Sequence, residues 1–426
     1  MKKAILVAID NNLDSINTSL EELNNLLNTI GIYEVDRLIQ KLDKVNNNTY
    51  LGSGKLDLLK DLVIQEEVDY VVFDTELTPK MLFNISKVID CNILDRTSVI
   101  LKIFKLNATS ELSKLEIELA RLKYELPRIE YLHKFDSFDR QGGGLNSKGS
   151  GETQTELDKR ILSNKIISVS RKIDEIKKRK ISETTKKSNS NIKNIALVGY
   201  TNAGKSSTMN SLVEYLNKYE YKNNVSKKLV ESEDKLFKTL STTSKLLTYK
   251  NVSFYLSDTI GFINKLPHEL INSFLTTLLE ARNADLLIIV LDVSSKNLGI
   301  EYQTTLKTLR SLNIIDKPIL LLLNKVDKLD IESIRVDANM DSLLYSNKDS
   351  KYQKELLEYI YNYITKDYTI LDLSIPYTSA KTINKIENNC HIISKTYLDN
   401  YVLYKINCPN YLLDELSLYK FSDIIN

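Results

Sequence analysis

Tryptophan is absent from this 426-residue chain, and cysteine and histidine are scarce, with three of each. Cys91, Cys390 and Cys408 are scattered, odd in number and without metal-ligand spacing. That pattern offers no disulfide framework and fits a reducing compartment. His133, His268 and His391 stand alone, which reads as surface or packing histidine rather than a metal centre. Long apolar runs are missing too. Lys2 and Lys3 precede an apolar run from Ala4 to Ile9, but its six residues end at Asp10, too short for a signal-peptide core. It reads as a first β-strand. Nothing approaches the length of a membrane span, so a cytoplasmic location is expected. Charge of one sign is also lacking: 58 Lys and Arg against 56 Asp and Glu leave +2. No overall field favours nucleic acid or an anionic membrane, and RNA binding would have to come from local patches. At 42% hydrophobic and 27% charged, the composition is that of an ordinary globular protein, and the length suggests two to four domains.

Glycine is sparse at twelve residues, and ten of them fall in three places. These are Gly52 and Gly54; Gly142, Gly143, Gly144, Gly149 and Gly151; and Gly199, Gly204 and Gly261. Such economy places glycine where backbone must turn sharply or approach a ligand.

Residues 1–105 alternate strand and helix signals: strands at 4–9, 33–40 and 70–73, helices at 13–30, 55–64 and 78–88 with Pro79 at an early helical position. This predicts a small α/β domain with a mostly parallel sheet. Residues 106–186 change character. Leu112, Leu115, Leu119, Leu122, Leu126 and Ile129 are spaced 3-4-3-4-3, and Leu162, Ile166, Val169, Ile173 and Ile176 are spaced 4-3-4-3. These are seams of two helices packed as a coiled-coil hairpin. Thr153 and Glu156 form a capping box for the second helix, and the glycine-rich stretch 141–151 is the tip. A polar linker, 187–192, leads to a nucleotide-binding domain at 193–365, with a doubly wound sheet. Residues 367–426 hold strand-like runs at 370–375, 391–394 and 401–406 and a helix at 378–388, enough for a small α+β domain.

The run Gly199, Tyr200, Thr201, Asn202, Ala203, Gly204, Lys205, Ser206 has the spacing of a phosphate-binding loop. It lies between an apolar strand, Ile195–Val198, and a helical pattern that carries Ser207 in its first turn. The glycines let successive N–H groups face phosphate oxygens, Lys205 would reach the β- and γ-phosphates, and Ser206 would hold Mg²⁺. Asp258 and Gly261 follow a strand at 252–257, where Asp258 would bind Mg²⁺ through water and the Gly261 N–H would meet the γ-phosphate. Asn324, Lys325 and Asp327 follow the apolar strand 319–323. Asp327 can accept from N1 and N2 of guanine together, a donor pair that adenine lacks. Lys325 would cover the ring and Asn324 would tie this loop to the phosphate loop. GTP and GDP are therefore the expected ligands.

The stretch 236–245 supplies the switch hydroxyl, and spacing alone does not choose among Thr239, Thr242 and Thr243. The last guanine-contacting loop has two candidates: Ser379-Ala380-Lys381, which matches by letter, and Ser346-Asn347-Lys348, which sits better after a strand and before an amphipathic helix. The latter is favoured. Phe262 occupies the position where Ras-type enzymes place a water-positioning Gln, so slow unassisted hydrolysis is expected. Asn202 could help coordinate K⁺ beside the phosphates.

These motifs, in this order, resemble the HflX family of translational GTPases. The resemblance rests on residues 258–270, on the tip 142–156 ending in Gly-Glu-Thr-Gln, on 119–128 in the first long helix, and on Leu51–Lys55 and Leu94–Thr97. It implies Thr243 as the switch threonine and Mg²⁺ ligand beside Ser206, with Lys205, Thr243 and Gly261 as the catalytic set. It also implies a small C-terminal domain, which independently supports Ser346. A monomer is expected, and by the same resemblance the chain would bind the large ribosomal subunit and its rRNA through the hairpin tip, and dissociate stalled or idle ribosomes in the GTP state. Gly142, Gly143, Gly144, Lys148, Gly149 and Gly151 would make the rRNA contact, helped by Lys159 and Arg160. Lys148, Ser150 and Asn146 depart from the family's tip. Lysine lacks arginine's bidentate grip on phosphate, so ribosome binding is expected more firmly than splitting. The resemblance also brings an ATP-linked activity of the N-terminal domain, for which Gly52–Lys55 is a short match better read as a strand-to-helix turn. Alternatives are a ribosome-assembly GTPase, or a structural RNA-binding protein with a decayed nucleotide site.

Overall fold

The computed structural model describes residues 1–11, 16–141, 154–188, 192–219, 243–265, 279–314, 316–329 and 340–421. Contacts divide the chain into two units, the first built mainly from Met1–Ser182 and the second mainly from the residues after it.

The first unit opens with strict alternation: β1 (Lys2–Asp10), α1 (Ile16–Thr29), β2 (Ile32–Lys41), α2 (Ser53–Glu66), β3 (Tyr70–Phe73), α3 (Pro79–Ser86), β4 (Asn92–Asp95) and α4 (Arg96–Asn107). The strands run in the order β2-β1-β3-β4, and every pair is parallel. Parallel strands need helical crossovers, and those helices cover both faces, which is why Ala4 to Ala8 are all fully buried. One face packs Ile5, Val7, Val71 and Phe73 against Leu56, Leu59, Met81 and Ile85. Gly52 caps α2 in extended backbone, and its N–H is already given to Gln40 Oε1 at 3.0 Å.

The pair β4 and α4 is absent from the sequence expectation, and it does much of the joining. Asp95 ends β4 and caps α4, accepting the Ser98 N–H at 2.8 Å while the Ser98 hydroxyl returns to the Asp95 carbonyl. The same carboxylate takes the Leu77 N–H at 3.0 Å, the Tyr124 hydroxyl at 2.6 Å and the Arg128 guanidinium at 3.2 Å. Arg96, fully buried, pairs with Asp74 at 2.6 Å and with Glu22.

Tyr124 and Arg128 belong to α5 (Glu111–Gln141), which with α6 (Gln154–Ser188) makes the helical arm. The expected seams meet: Leu112, Leu122, Val169 and Ile173 are buried, with Leu115, Leu119, Leu162, Ile166 and Ile176 against them. Lys165 pairs with Glu118 across the seam at 2.8 Å. The tip 142–151 and the Thr153 half of the capping box lie outside the described residues.

The second unit holds two sheets. The larger comprises β5 (Lys193–Gly199), β6 (Thr243–Tyr249), β7 (Val252–Asp258), β8 (Leu286–Asp292), β9 (Ile319–Asn324) and β10 (Asp341–Tyr345), in the order β10-β9-β8-β5-β7-β6. All pairs are parallel except β6 with β7. The described helices here are α7 (Lys205–Tyr219), α8 (Leu279–Asn283), α9 (Leu298–Ser311) and α10 (Ser350–Ile364). Met209, Leu212 and Leu216 of α7 and Leu356, Leu357 and Ile360 of α10 share a core with Ile195, Leu197, Ile288, Leu320 and Leu322. The smaller sheet is antiparallel, β11 (Thr369–Pro376), β13 (Tyr401–Cys408) and β12 (His391–Tyr397) in that order, and it is packed by α11 (Ala380–Asn389) and α12 (Leu413–Ser417). Among the described residues no helix is long and apolar enough to cross a membrane.

Candidate nucleotide site

In an open parallel sheet, ligands bind beyond the carboxyl ends of the strands where strand order reverses. Here that place is the end of β5, between β7 and β8. The chain leaves β5 at Gly199, turns through Tyr200, Thr201, Asn202, Ala203 and Gly204, and enters α7 at Lys205. Gly204 has φ +102°, and a Cβ there would lie 2.1 Å from Asn324 Nδ2. No other residue tolerates both the torsion and the approach. Asn324 Nδ2 donates to the Ala203 carbonyl at 2.8 Å, and its Oδ1 accepts the Lys325 N–H at 2.8 Å. Asn324 thus ties two loops that lie 121 residues apart in sequence.

Lys205 is buried, and its ammonium donates to the Gly199 carbonyl at 3.0 Å and the Tyr200 carbonyl at 2.7 Å. Burial pushes it down to about 8, partly opposed by the negative charge of Asp258. Ser206, the next residue, donates its hydroxyl to Asp258 Oδ2 at 2.6 Å. Asp258 is fully buried at the end of β7. A hydroxyl and a carboxylate converging from two elements supply the hard oxygen donors that a small divalent cation requires, so Ser206 and Asp258 fit Mg²⁺. Ser207 lies beside them in the first turn of α7.

Gly261 lies against the same loop. A Cβ there would meet Thr201 Cα at 2.8 Å and the Lys205 ammonium at 3.1 Å, so a side chain would push backbone aside. Phe262 continues the contact through its main chain, donating to the Gly199 carbonyl at 3.0 Å and accepting from Thr201 at 2.8 Å. Its ring is buried and brings no polar group. Thr243 opens β6 and stands opposite Asp258 in the antiparallel ladder. Thr239 and Thr242 lie outside the described residues, as do Gly142, Gly143, Gly144, Lys148, Gly149 and Gly151.

Asp327 follows β9 and is held by two groups: the Ser346 hydroxyl at 2.7 Å and the Lys348 ammonium at 2.6 Å. These hydrogen bonds, Lys348 first, keep its carboxyl below the usual carboxylate range. Ser346 is in turn fixed by Gln353, which donates to its carbonyl at 3.1 Å. Asn347 stands where the expected loop has Ala, and its Oδ1 accepts from Ser211 of α7 at 3.1 Å. The Ser211 hydroxyl also lies 2.7 Å from the Tyr345 hydroxyl. The second candidate, Ser379, is instead the residue before α11, beside the small sheet.

Sequence reasoning missed Asp292, Ser211 and Gln353. Only Asp292 left a local signal, an acidic residue closing a fully apolar strand at the carboxyl edge of a parallel sheet.

Three family models match in sequence: "GTP-binding GTPase N-terminal" over residues 17–105, "GTP-binding GTPase Middle Region" over 107–187, and "50S ribosome-binding GTPase" over 194–325. GTPase HflX of Flavobacterium psychrophilum is 38% identical over 355 residues, 82% of this chain and 81% of that protein. GTPase HflX of Lacrimispora saccharolytica is 31% identical over 419 residues, 98% of this chain and 96% of that protein. A solved GTP-binding protein from Sulfolobus solfataricus, in complex with GDP, is 26% identical over 86% of this chain and 99% of that chain, with a TM-score of 0.42. With 31–38% identity over more than four fifths of both chains, this chain belongs to the HflX family and is a GTPase.

Proposed function

We propose that this GTPase uses the site at the end of β5 to read guanine and to gate docking on the large ribosomal subunit, whose stalled or idle ribosomes it dissociates in the GTP state. The observation that carries the reading is the doubly held Asp327 carboxylate beside Asn324 and Lys325, joined through Ala203 to the phosphate loop. Base recognition and phosphate recognition are then one rigid construction.

In this reading Asp327 accepts from guanine N1 and N2, and the loop Ser346, Asn347, Lys348 closes over the base edge. Lys205 and the amides of the loop neutralise the β- and γ-phosphates. Ser206 and the Thr243 hydroxyl would hold Mg²⁺, with Asp258 behind them. When bound, that ion would supply charge neutralisation for phosphoryl transfer. Gly261 offers its N–H to the γ-phosphate, and hydrolysis releases the segment that follows it. Phe262 has no group to orient water, so turnover is slow until the ribosome completes the site. K⁺ beside Asn202 is a further stimulus, and equal rates in K⁺ and Na⁺ would remove it.

Support for the ribosomal half comes from the family model over residues 194–325, described as a 50S ribosome-binding GTPase, and from the two-helix arm. Asp327→Asn tests the base reading: affinity should move from GDP to xanthosine diphosphate, because the amide offers a donor where guanine also has one. An unmoved preference would reject it. Sucrose gradients with a non-hydrolysable GTP analogue test the other half. Mature ribosomes should yield free subunits with the analogue and not with GDP. Binding confined to precursor particles would make the chain an assembly factor.

A further inference from the structure

Asp292 takes no part in the chemistry above, yet it stands at the centre of the base-reading end. It closes β8, pairs in register with Asn324 of β9, and the next residue, Val293, donates its N–H to the Asn324 carbonyl at 3.0 Å. Its carboxylate is divided between two tasks. Oδ1 accepts the Ser294 N–H at 3.0 Å and the Ser294 hydroxyl at 2.6 Å, which sets the rotamer. Oδ2 receives the Lys325 ammonium at 2.6 Å. That ammonium also donates to the Asn202 carbonyl in the phosphate loop at 2.9 Å. Lys325 itself is held at φ +67°, a left-handed backbone that only special surroundings maintain in a non-glycine residue. The two side chains are only 16% and 20% exposed, so solvent screens this pair less than a surface one.

A free lysine side chain samples many rotamers, and each must be given up when it packs on a ligand. A group that fixes the stem beforehand removes that loss from the binding step. We propose that Asp292 is a positioning residue for guanine recognition. It acts through Lys325, holding the ammonium at the phosphate loop so that the aliphatic stem forms a ready wall for one face of the purine. The proposal rests on the reading that Asn324 to Asp327 contact the base. Because the contact is with the base and not the phosphates, GDP and GTP feel it equally.

The test is a double-mutant cycle on the full chain, read as the affinity and dissociation rate of fluorescently labelled GDP and as GTP turnover. Asp292→Asn should weaken GDP and GTP alike by about tenfold through faster dissociation, and raise KM more than it lowers kcat. In a Lys325→Gln background the same change should alter affinity by less than about twofold. Ser294→Ala, a milder change that spares both charges, should weaken binding about threefold in the natural chain and not in the Lys325→Gln background. It keeps the proposal decidable should Asp292→Asn fail to fold. Equal losses in both backgrounds, or wild-type affinity in Asp292→Asn, would overturn the assignment. Asp327→Asn with xanthosine diphosphate runs alongside. If it shifts the preference while the cycle is additive, only the role of Asp292 falls; if it does not, the base reading falls and takes this proposal with it.

Discussion

The charge on Lys205 depends on where the fold puts it. An ordinary lysine holds its proton to about 10.5, but burial brings this one down to about 8, and Asp258 recovers only part of the difference. Below pH 8 the folded and unfolded chains both carry the proton, so the desolvation penalty is fully present. Between about 8 and 10.5 the unfolded chain binds the proton that the folded chain has lost, so this residue's contribution to stability improves as pH rises. Nucleotide affinity moves the other way, since phosphates need the ammonium. GDP affinity should be level below about pH 7.5 and fall steeply above about pH 8, approaching tenfold per unit. Calorimetry at pH 8 in two buffers of different ionisation enthalpy should register uptake of about half a proton on binding. Constant affinity from pH 7 to pH 9 would refute the account. Lys205, Asp258, Asn324 and Asp327 were all legible in sequence, because each belongs to a short motif next to an apolar strand. Ser346 was legible by its setting rather than its letters: Ser379 has the better tripeptide, but only Ser346 reaches Asp327. Asp292 left only the signal of an acidic residue closing an apolar strand, and its role stayed hidden because its partner is 33 positions away.

At the scale of elements, Asp95 joins more structure than any pattern in the sequence suggests. One carboxylate caps α4, holds the start of the α3 turn through Leu77, and receives Tyr124 and Arg128 from α5. The Arg128 guanidinium lies 3.3 Å from the centre of the Tyr124 ring, so the pair arrives as one stacked unit. Asp95→Ala removes a cap, leaves the half-buried Tyr124 hydroxyl without this acceptor, and reduces the Arg128 guanidinium to the Tyr124 and Leu77 carbonyls. The expected loss is about 3–5 kcal/mol of the first unit's stability. Hydrogen exchange should quicken through the first half of α5 while GDP affinity stays at the wild-type value; unchanged exchange would count against the joining role. Leu94–Thr97 and 119–128, two of the stretches that carry the sequence resemblance, contain Asp95, Tyr124 and Arg128. Most elements were legible within a few residues because their periodicity is clear, as with the coiled seams of α5 and α6. The misses have causes: β4 is only four residues long, α4 begins with a buried Arg96 that breaks its apolar stripe, and the hydroxyl-rich start of β6 reads as loop.

At the scale of the whole molecule, the question is what the arm contributes to the GTPase cycle. Thirty-one residues of α5 make a rod of about 45 Å, and α6 is longer still. Among the described residues, the groups that hold Asp327 and Lys205 come from residues after 193. Basic side chains are carried along its second helix, among them Lys159, Arg160, Lys172, Lys178 and Arg179, while the chain as a whole has a charge of only +2. Charge gathered on an arm and cancelled elsewhere suits a local grip on RNA phosphates and disfavours indiscriminate binding. Stiffness matters as much as charge, because a seam of packed Leu, Val and Ile can carry force from one end to the other where a loose linker cannot. In the proposed reading the arm is the sensor and the nucleotide site answers to it. Deleting 142–151 should leave GDP affinity within about twofold of wild type and keep the slow basal hydrolysis, yet abolish stimulation by ribosomes and the salt-sensitive part of ribosome binding. Replacing Lys148 alone by Ala should lower the salt slope of binding by roughly one ion, the signature of a single phosphate contact. If the shortened chain is stimulated as strongly as the full one, the command must enter elsewhere, and the GTPase domain itself becomes the place to look.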